Sequence, residues 1–514
     1  LAGQCLERGR SCRIVVTQPR RLAAKGLARR VAEQAGTEVG CVAGYRVGHD
    51  RADKHASIVY VTAGHLLEAL VHNPQHLETF SHIVLDEVHE RFVEADFLMA
   101  LLRLSLSRPG TIAKRIVIMS ATLQGALAGF FRPLFLPSPG DAVVSKLSLP
   151  GRTPFEVRDF FWEDIRKEWP NAFTGAGKEP NFVEFKPSKA KLLPSRRRSD
   201  QLTKLCKELA PFCARLLGEL HECGSHIALV FLPGLDQMRE VEDAIGHEVN
   251  RNRYSFDRPK VFLMHSSLEE ETYKGALDPP GDREWRIVLA TNIAESSITI
   301  PFVSAVIDFG LHRTNIYDDD TRMSMLATEW CSRASMQQRR GRTGRTNPGC
   351  YVRLFPSLVY DDIAAFDESG VERSPLSRIT LEAAHLAQLL STPPIVRAGL
   401  PVALPDGGGV AIASFWEGRW GGWRVTDLSG EDGAVYPESA LRPAEIDAKH
   451  MLGLLPTPPK EDRVQSALSE LYEIGALAGK DAPSVLGAAI LKLPVDVALG
   501  RLVVLGWALG CAAD

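Results

Sequence analysis

The sequence predicts an α/β chain built on two doubly wound parallel sheets. Three observations carry that expectation. Short apolar runs of buried-strand length recur at residues 12–17, 57–61, 83–85 and 115–119, and again at 227–232, 261–264, 285–290 and 303–308. Stretches with helical spacing separate them, which is the alternation of βαβ units. Several runs end in acidic, hydroxyl or Gly-containing turns, at the strand ends where open α/β sheets bind ligands.

The stretch 81–90, SHIVLDEVHE, is the centre of the first sheet. Its apolar run is followed at once by Asp86 and Glu87, with His89 two residues on. Adjacent carboxylates at a strand end suit a site in which one holds Mg²⁺, an ion that prefers oxygen ligands and a few carboxylates. The other can orient or deprotonate an attacking water. A solvated acidic turn reads this tetrapeptide equally well until the rest of the chain is weighed.

In chain order, TQPRRLAA (17–24) leaves the first strand through a Pro turn into a helix that Gly36 stops near residue 35. Arg20 and Arg21 open that helix, where the dipole disfavours cations, so they point to an anionic partner. Thr62 and Gly64 start a second helix whose terminus could donate hydrogen bonds to a phosphate, with a plain N-cap as the alternative. A helix is expected over about 94–106. The strand 115–119 ends in Ser120-Ala121-Thr122, hydroxyls able to sense a phosphate or merely a small-residue turn.

Residues 162–200 are polar and rich in Lys, Pro and Arg, and read as a loop or disordered insertion. The TGAGK at 174–178 within them lacks the spacing and the leading strand of a phosphate loop. A second α/β unit begins with a helix over 202–220. Its strands end in Pro233-Gly234, in His265-Ser266-Ser267 and in Thr291-Asn292. The run QQRRGRTGR (337–345) has no interleaved acid. Its arginines suit bidentate phosphate binding, and it reads as a ligand-facing element and not as core.

Composition limits the alternatives. With 60 basic and 63 acidic side chains the formal charge is −3, so a nucleic acid must be held by local basic clusters such as 20–21, 29–30, 196–198 and 339–345. No apolar stretch reaches the about 18 residues of a membrane span. Nine cysteines without paired metal spacing suit reduced thiols, as in a cytoplasmic or nuclear protein.

Taken together, TQPRRLAA (17–24), TAGHLL (62–67), DEVH (86–89), SAT (120–122), LVFLPG (229–234), ATNIAESSITIP (290–301) and QRRGRTGR (338–345) resemble, in order and spacing, the motifs of the DEAH-box RNA helicases of superfamily 2. GRTPFEV (151–157), RSPLSR (373–378) and LPVDVALGRL (493–502) extend the resemblance over nearly the whole chain. It implies a RecA-like domain over 1–150 and a second over 151–356 with the polar insertion at about 163–200. A winged-helix domain over 357–500 and the start of a ratchet domain at 501–514 would follow.

The resemblance implies hydrolysis of ATP or another NTP with Mg²⁺, coupled to 3′→5′ translocation on RNA and remodelling of duplexes or RNA–protein complexes, and leaves room for a protein activator. Asp86 and Glu87 would serve Mg²⁺ and water, and His89 would couple the site to the second domain. Gln338, Arg342 and Arg345 would reach the γ-phosphate. Arg30, Ser120, Thr122 and Asp308 would serve the nucleotide. Arg20, Arg21, Thr62, Gly64, His265, Ser266, Thr291 and Asn292 would follow the RNA backbone, giving affinity without sequence reading. The hairpin expected at 314–330 would split strands.

Four departures qualify this. The family's Gly-Lys-Thr loop would lie upstream of Leu1, so residues 1–514 alone are expected not to hydrolyse ATP. Val88 replaces the usual Ala. Leu311 stands where many members place an aromatic, leaving Arg30 as the base contact. Residues 394–445 interrupt the winged helix with a stretch that reads as a small β module, with translated intron sequence as the competing reading. A non-catalytic RNA-binding homologue is the alternative function, and the intact acid pair and arginine motif weigh against it.

Overall fold

The computed structural model describes residues 12–511 except 107–114, 122–126, 128–129, 131–146, 148–153, 191–194, 252–257, 282–283, 297, 299, 319–322, 390–400, 406–409, 418–421, 427–431, 438–439, 444–446 and 494. The reading of Thr122 as a phosphate sensor lies outside the described residues. The chain divides into two compact units, residues 1–147 with 368–514, and residues 148–367.

The first unit begins with β1 (Ile14–Gln18), α1 (Arg21–Gln34), β2 (Ala43–Val47), β3 (Asp50–Ala52), β4 (Ile58–Thr62), α2 (Ala63–His72), β5 (His82–Leu85), α3 (Val93–Leu106) and β6 (Arg115–Ile118). The sheet order is β3-β2-β4-β1-β5-β6. All neighbours are parallel except β2 and β3. β1 is central and buried along its whole length, as its β-branched run requires. α1 packs on the sheet through Ala23, Ala24, Ala28 and Ala32, side chains short enough for close approach. The antiparallel β2–β3 edge was not legible in the sequence, because Gly and Arg interrupt its apolar pattern. Gly44 is needed there: a Cβ would lie 2.1 Å from the Ala52 carbonyl oxygen.

The second unit contains β7 (Val157–Phe160), α4 (Trp162–Glu168), α5 (Ser195–Glu222), β8 (Ile227–Phe231), α6 (Leu235–Asn250), β9 (Lys260–Met264), α7 (Glu270–Leu277), β10 (Arg286–Ala290), α8 (Ile293–Ser296), β11 (Ala305–Asp308), β12 (Leu311–Asp318), β13 (Met323–Trp330), α9 (Arg333–Arg340) and β14 (Gly349–Arg353). Its parallel sheet runs β7-β14-β11-β8-β10-β9. The expected hairpin is β12–β13, paired from Leu311↔Trp330 to Asp318↔Met323.

The reading of 162–200 as a loop is overturned. Short helical turns fill much of it, and Trp162, Ile165, Trp169, Ala172 and Phe182 belong to the core of the unit. Trp162 makes edge-on contacts with Phe173, Phe182 and Phe212. Averaged composition hid these few aromatics, which supply the buried area that orders the segment.

The first unit resumes with α10 (Leu376–Leu389). A five-stranded antiparallel sheet follows, of β15 (Pro401–Ala403), β16 (Val410–Glu417), β17 (Gly422–Thr426), β18 (Asp432–Pro437) and β19 (Arg442–Pro443). It has its own small core of Val402, Ala413, Val425 and Leu441. Then come α11 (Ala448–Gly453), α12 (Glu461–Glu473), the short hairpin β20 (Leu477–Ala478) and β21 (Ala482–Pro483), α13 (Val485–Leu491) and α14 (Val497–Ala508). One continuous core joins Leu85, Phe97 and Leu101 to Leu381, Met451 and Leu468, so these helices pack as one body with the first sheet. Among the described residues no helix is long and apolar enough to cross a membrane.

Candidate nucleotide and nucleic-acid sites

The carboxyl ends of β1, β4 and β5 border a cleft of about 670 Å³ lined by Gln18, Arg21, Thr62, Gly64, Asp86 and Glu87 among others. The parallel register Thr17↔Leu85 sets Gln18 beside Asp86. Gln18 Nε2 donates to Asp86 Oδ2 at 2.7 Å, and the Glu87 amide donates to Asp86 Oδ1 at 2.9 Å. Two donors fix the Asp86 carboxylate, and each oxygen keeps acceptor capacity toward the cleft. No local sequence signal marks Gln18, whose place follows from the strand register.

Glu87 adopts φ 54°, ψ 36°, and Arg91 φ 51°, ψ 41°. Left-handed backbone at a non-Gly residue costs about 1–3 kcal/mol and persists only where surrounding contacts enforce it. The two residues bracket the tight turn Val88–Glu90. The His89 side chain is 5% exposed, with Nδ1 3.5 Å from Glu87 Oε2, and the Ala121 amide donates to the same Nδ1 at 3.3 Å. That bond makes Nδ1 an acceptor and places the proton of the neutral ring on Nε2. His89 therefore ties the turn that follows the acid pair to the Ser120-Ala121 strand end inside one unit. Two carboxylates on a polar cleft form a hard-oxygen donor set that fits Mg²⁺, which completes its shell with water and phosphate.

Arg20 stands at the N-cap of α1, and its Nη2 lies 3.2 Å from Glu90 Oε2, so one anionic partner is internal. The Thr62 hydroxyl accepts the His65 amide at 3.3 Å, so the cap reading of Thr62 holds, on the wall of the cleft. A Cβ on Gly64 would touch only the Glu94 side chain, at 3.5 Å. Arg30 is exposed on α1, 3.8 Å from Glu33, and is not part of the cleft lining. Ser120 is half-buried just beyond β6.

In the second unit, His265, Ser266, Thr291 and Asn292 follow the ends of β9 and β10. His265 Nδ1 lies 2.7 Å from Ser267 Oγ, and burial, with Arg313 assisting, lowers its pKa. Ser266 is exposed, while Thr291 is buried and its amide donates to the Met264 carbonyl at 3.3 Å. Arg313 escaped the sequence reading. Its guanidinium crosses the Pro233-Gly234 turn so closely that a Cβ on Gly234 would lie 3.1 Å from Nε.

The arginine-rich motif brings two corrections. Arg339, in a run read as unable to be core, is 1% exposed. Its Nε bonds Glu295 Oε2 at 3.0 Å, its Nη1 bonds Asp308 Oδ1 at 2.8 Å and the Leu311 carbonyl at 3.3 Å, and it lies over the Phe231 ring. Two carboxylates and a carbonyl compensate the buried charge. Asp308, expected beside the nucleotide, is 0% exposed and also accepts from Tyr351 Oη at 2.5 Å and from the Gly310 amide at 2.8 Å. It anchors Arg339 and does not face a ligand. Leu311 is likewise buried. Arg342 donates to the carbonyls of Glu295 and Ile298, and exposed Arg345 to that of Gly341. Gln338 is half-exposed on α9.

Residues 3–128 match the DEAD/DEAH box helicase family, and 212–347 match the helicase conserved C-terminal domain. The probable ATP-dependent RNA helicase spindle-E of Culex quinquefasciatus is 32% identical over 418 residues, 79% of this chain and 28% of that protein. The ATP-dependent RNA helicase TDRD9 of Danio rerio is 29% identical over 99% of this chain and 33% of its own length. The DExH-box ATP-dependent RNA helicase DExH1 of Arabidopsis thaliana is 29% identical over 98% of this chain and 46% of its own. The chain thus spans less than half the length of each of these relatives. The Escherichia coli DEAH/RHA helicase HrpB superposes with a TM-score of 0.64 at 23% identity, over 96% of this chain and 48% of that one, and shows the fold. Two RecA-like sheets, the ordered motifs and both family matches lead to one conclusion: the chain belongs to the DEAH-box helicases of superfamily 2.

Proposed function

We propose that this chain carries the nucleotide-hydrolysing and RNA-binding machinery of an ATP-dependent RNA helicase that moves 3′→5′ and remodels duplexes or RNA–protein complexes. The observation that carries the reading is the acid pair, with Asp86 fixed by Gln18 and Glu87 turned into the same cleft by a left-handed backbone. Asp86, with Glu87 beside it, would hold Mg²⁺, which when bound neutralises charge on the β- and γ-phosphates. Glu87 would accept a proton from the attacking water at its carboxylate. His89 would report the state of that carboxylate to Ser120 and Thr122.

Gln338, Arg342 and Arg345 form the phosphate-binding set of the second unit in this reading. Arg342 would exchange its carbonyl acceptors for charged phosphate oxygens, which are stronger partners. Arg20, Arg21, Thr62, Gly64, His265, Ser266, Thr291 and Asn292 are assigned to the RNA backbone, and Arg30 to the base of the nucleotide. The names of the relatives support ATP and RNA as the ligand classes. A protein activator and a cytoplasmic or nuclear setting complete the proposal, as does a winged-helix domain over 357–500 with 394–445 inserted in it.

The test is RNA-stimulated phosphate release and strand separation by the full-length protein. Turnover should rise with added RNA, and duplexes with a 3′ overhang should open while those with a 5′ overhang should not. Tight RNA binding with no stimulated turnover would favour the non-catalytic reading.

A further inference from the structure

The acidic turn does not end at Glu90. Arg91 closes it with its amide on the Val88 carbonyl at 3.3 Å, and itself sits at φ 51°. Its guanidinium is 4% exposed and makes a forked bond to Asp96, itself 0% exposed, with Nε to Oδ1 at 3.2 Å and Nη2 to Oδ2 at 2.9 Å. Nη2 also donates to Thr457 Oγ1 at 2.9 Å, across 366 residues of sequence. The Arg91 carbonyl accepts the Gly370 amide at 2.8 Å. Gly370 has no alternative there: a Cβ would lie 2.8 Å from that carbonyl and 3.0 Å from the Val93 amide.

The far side of the contact is itself held. Ser369 and Glu372 form a reciprocal capping box around the turn 370–373, and Arg463 on α12 donates to the carbonyls of Glu372 and Ser374. The strained turn that presents Glu87 is thus clamped through its last residue by backbone at 370 and side chain at 457. An ion pair between Arg91 and Asp96 alone would stabilise the fold. Bonds from a distant segment to both the carbonyl and the guanidinium of a left-handed residue do more, because they fix the backbone on which Glu87 stands.

We propose that Arg91 is a positioning residue through which Gly370 and Thr457 set the geometry of the Glu87 loop, and that this contact tunes hydrolysis. The proposal rests on the assignment of water activation to Glu87, and it concerns residues that this assignment does not use.

The experiment compares wild type, Thr457→Val and Thr457→Ser in the full-length protein. Valine keeps the shape and removes only the oxygen that receives Arg91, leaving the Asp96 pair intact. Two quantities are read: steady-state RNA-stimulated turnover, and amide hydrogen exchange at 87–93 and 370. A lost hydrogen bond to a charged group corresponds to roughly tenfold in an equilibrium. Thr457→Val should therefore lower kcat about tenfold with KM for nucleotide nearly unchanged, and speed exchange at Arg91 and Gly370 by a similar factor. Thr457→Ser should restore both. Gly370→Ala should reproduce the valine phenotype by displacing the Arg91 carbonyl. Unchanged exchange in Thr457→Val overturns the clamp. Faster exchange with unchanged kcat overturns its role in positioning Glu87. A wild type that binds RNA but never turns over refutes the assignment of hydrolysis and with it the tuning, while the exchange data still decide the clamp.

Discussion

Arg339 shows what a single position hides. In sequence it is one of four arginines in a run that looks built for phosphate, yet its guanidinium is consumed by Glu295, Asp308 and the Leu311 carbonyl. Those partners lie 44, 31 and 28 residues away, so no local pattern separates this buried cation from its ligand-facing neighbours. Gln18 is the converse, a polar residue without local signal whose role follows from pairing of adjacent strands. The place of Asp86, Glu87 and His89 at a strand end was legible, because the short apolar run of β5 directly precedes them. Removing one partner from a buried ion network costs about 3–5 kcal/mol. Arg339→Met should therefore destabilise the second unit by that amount in urea unfolding. A loss below about 1 kcal/mol would mean that Asp308 and Glu295 find other partners.

Elements with continuous apolar runs, such as β1, β5, β8 and β10, fell where the sequence placed them. The failures have separate causes. The β2–β3 edge carries a glycine forced by close backbone approach, and 162–185 is ordered by sparse aromatics in a polar stretch. The paired starts of β9 and β10 yield a pH prediction. Burial opposes ionisation of Glu284, but hydrogen bonds from Arg286, Lys260 and the Gly281 amide prevail and bring its pKa down to about 2. A folded-state pKa below the unfolded one adds stability that is full above the unfolded value, near 4.5, and is lost as pH falls toward 2. Glu284→Gln should flatten the stability profile of the second unit in that window, and an unchanged profile would assign the acid sensitivity elsewhere. The inserted sheet β15–β19 has a core of its own, so deleting 394–445 should leave a cooperative melt. Aggregation of that variant would show that these strands complete the surrounding helices.

At the scale of the molecule, the motif order identified the family and the two parallel sheets. What the sequence could not show is that helices beyond residue 376 share one core with the first sheet. Hydrophobic periodicity says that a helix has a buried face and is silent on what covers it. This shared core is the reason a residue near 457 can reach the acidic turn at all, and under the proposed function it would join hydrolysis to the later helices.

Under the proposed function the attacking water is activated at Glu87. Glu87→Gln in the full-length protein keeps the side chain's size and removes its charge. Nucleotide binding, followed by a fluorescent analogue, should be preserved, while phosphate release in stopped flow should fall about 10²–10⁴-fold, the usual loss when a general base is removed. Turnover equal to wild type would contradict the account, because the acid pair in the first cleft would then not be where the reaction occurs.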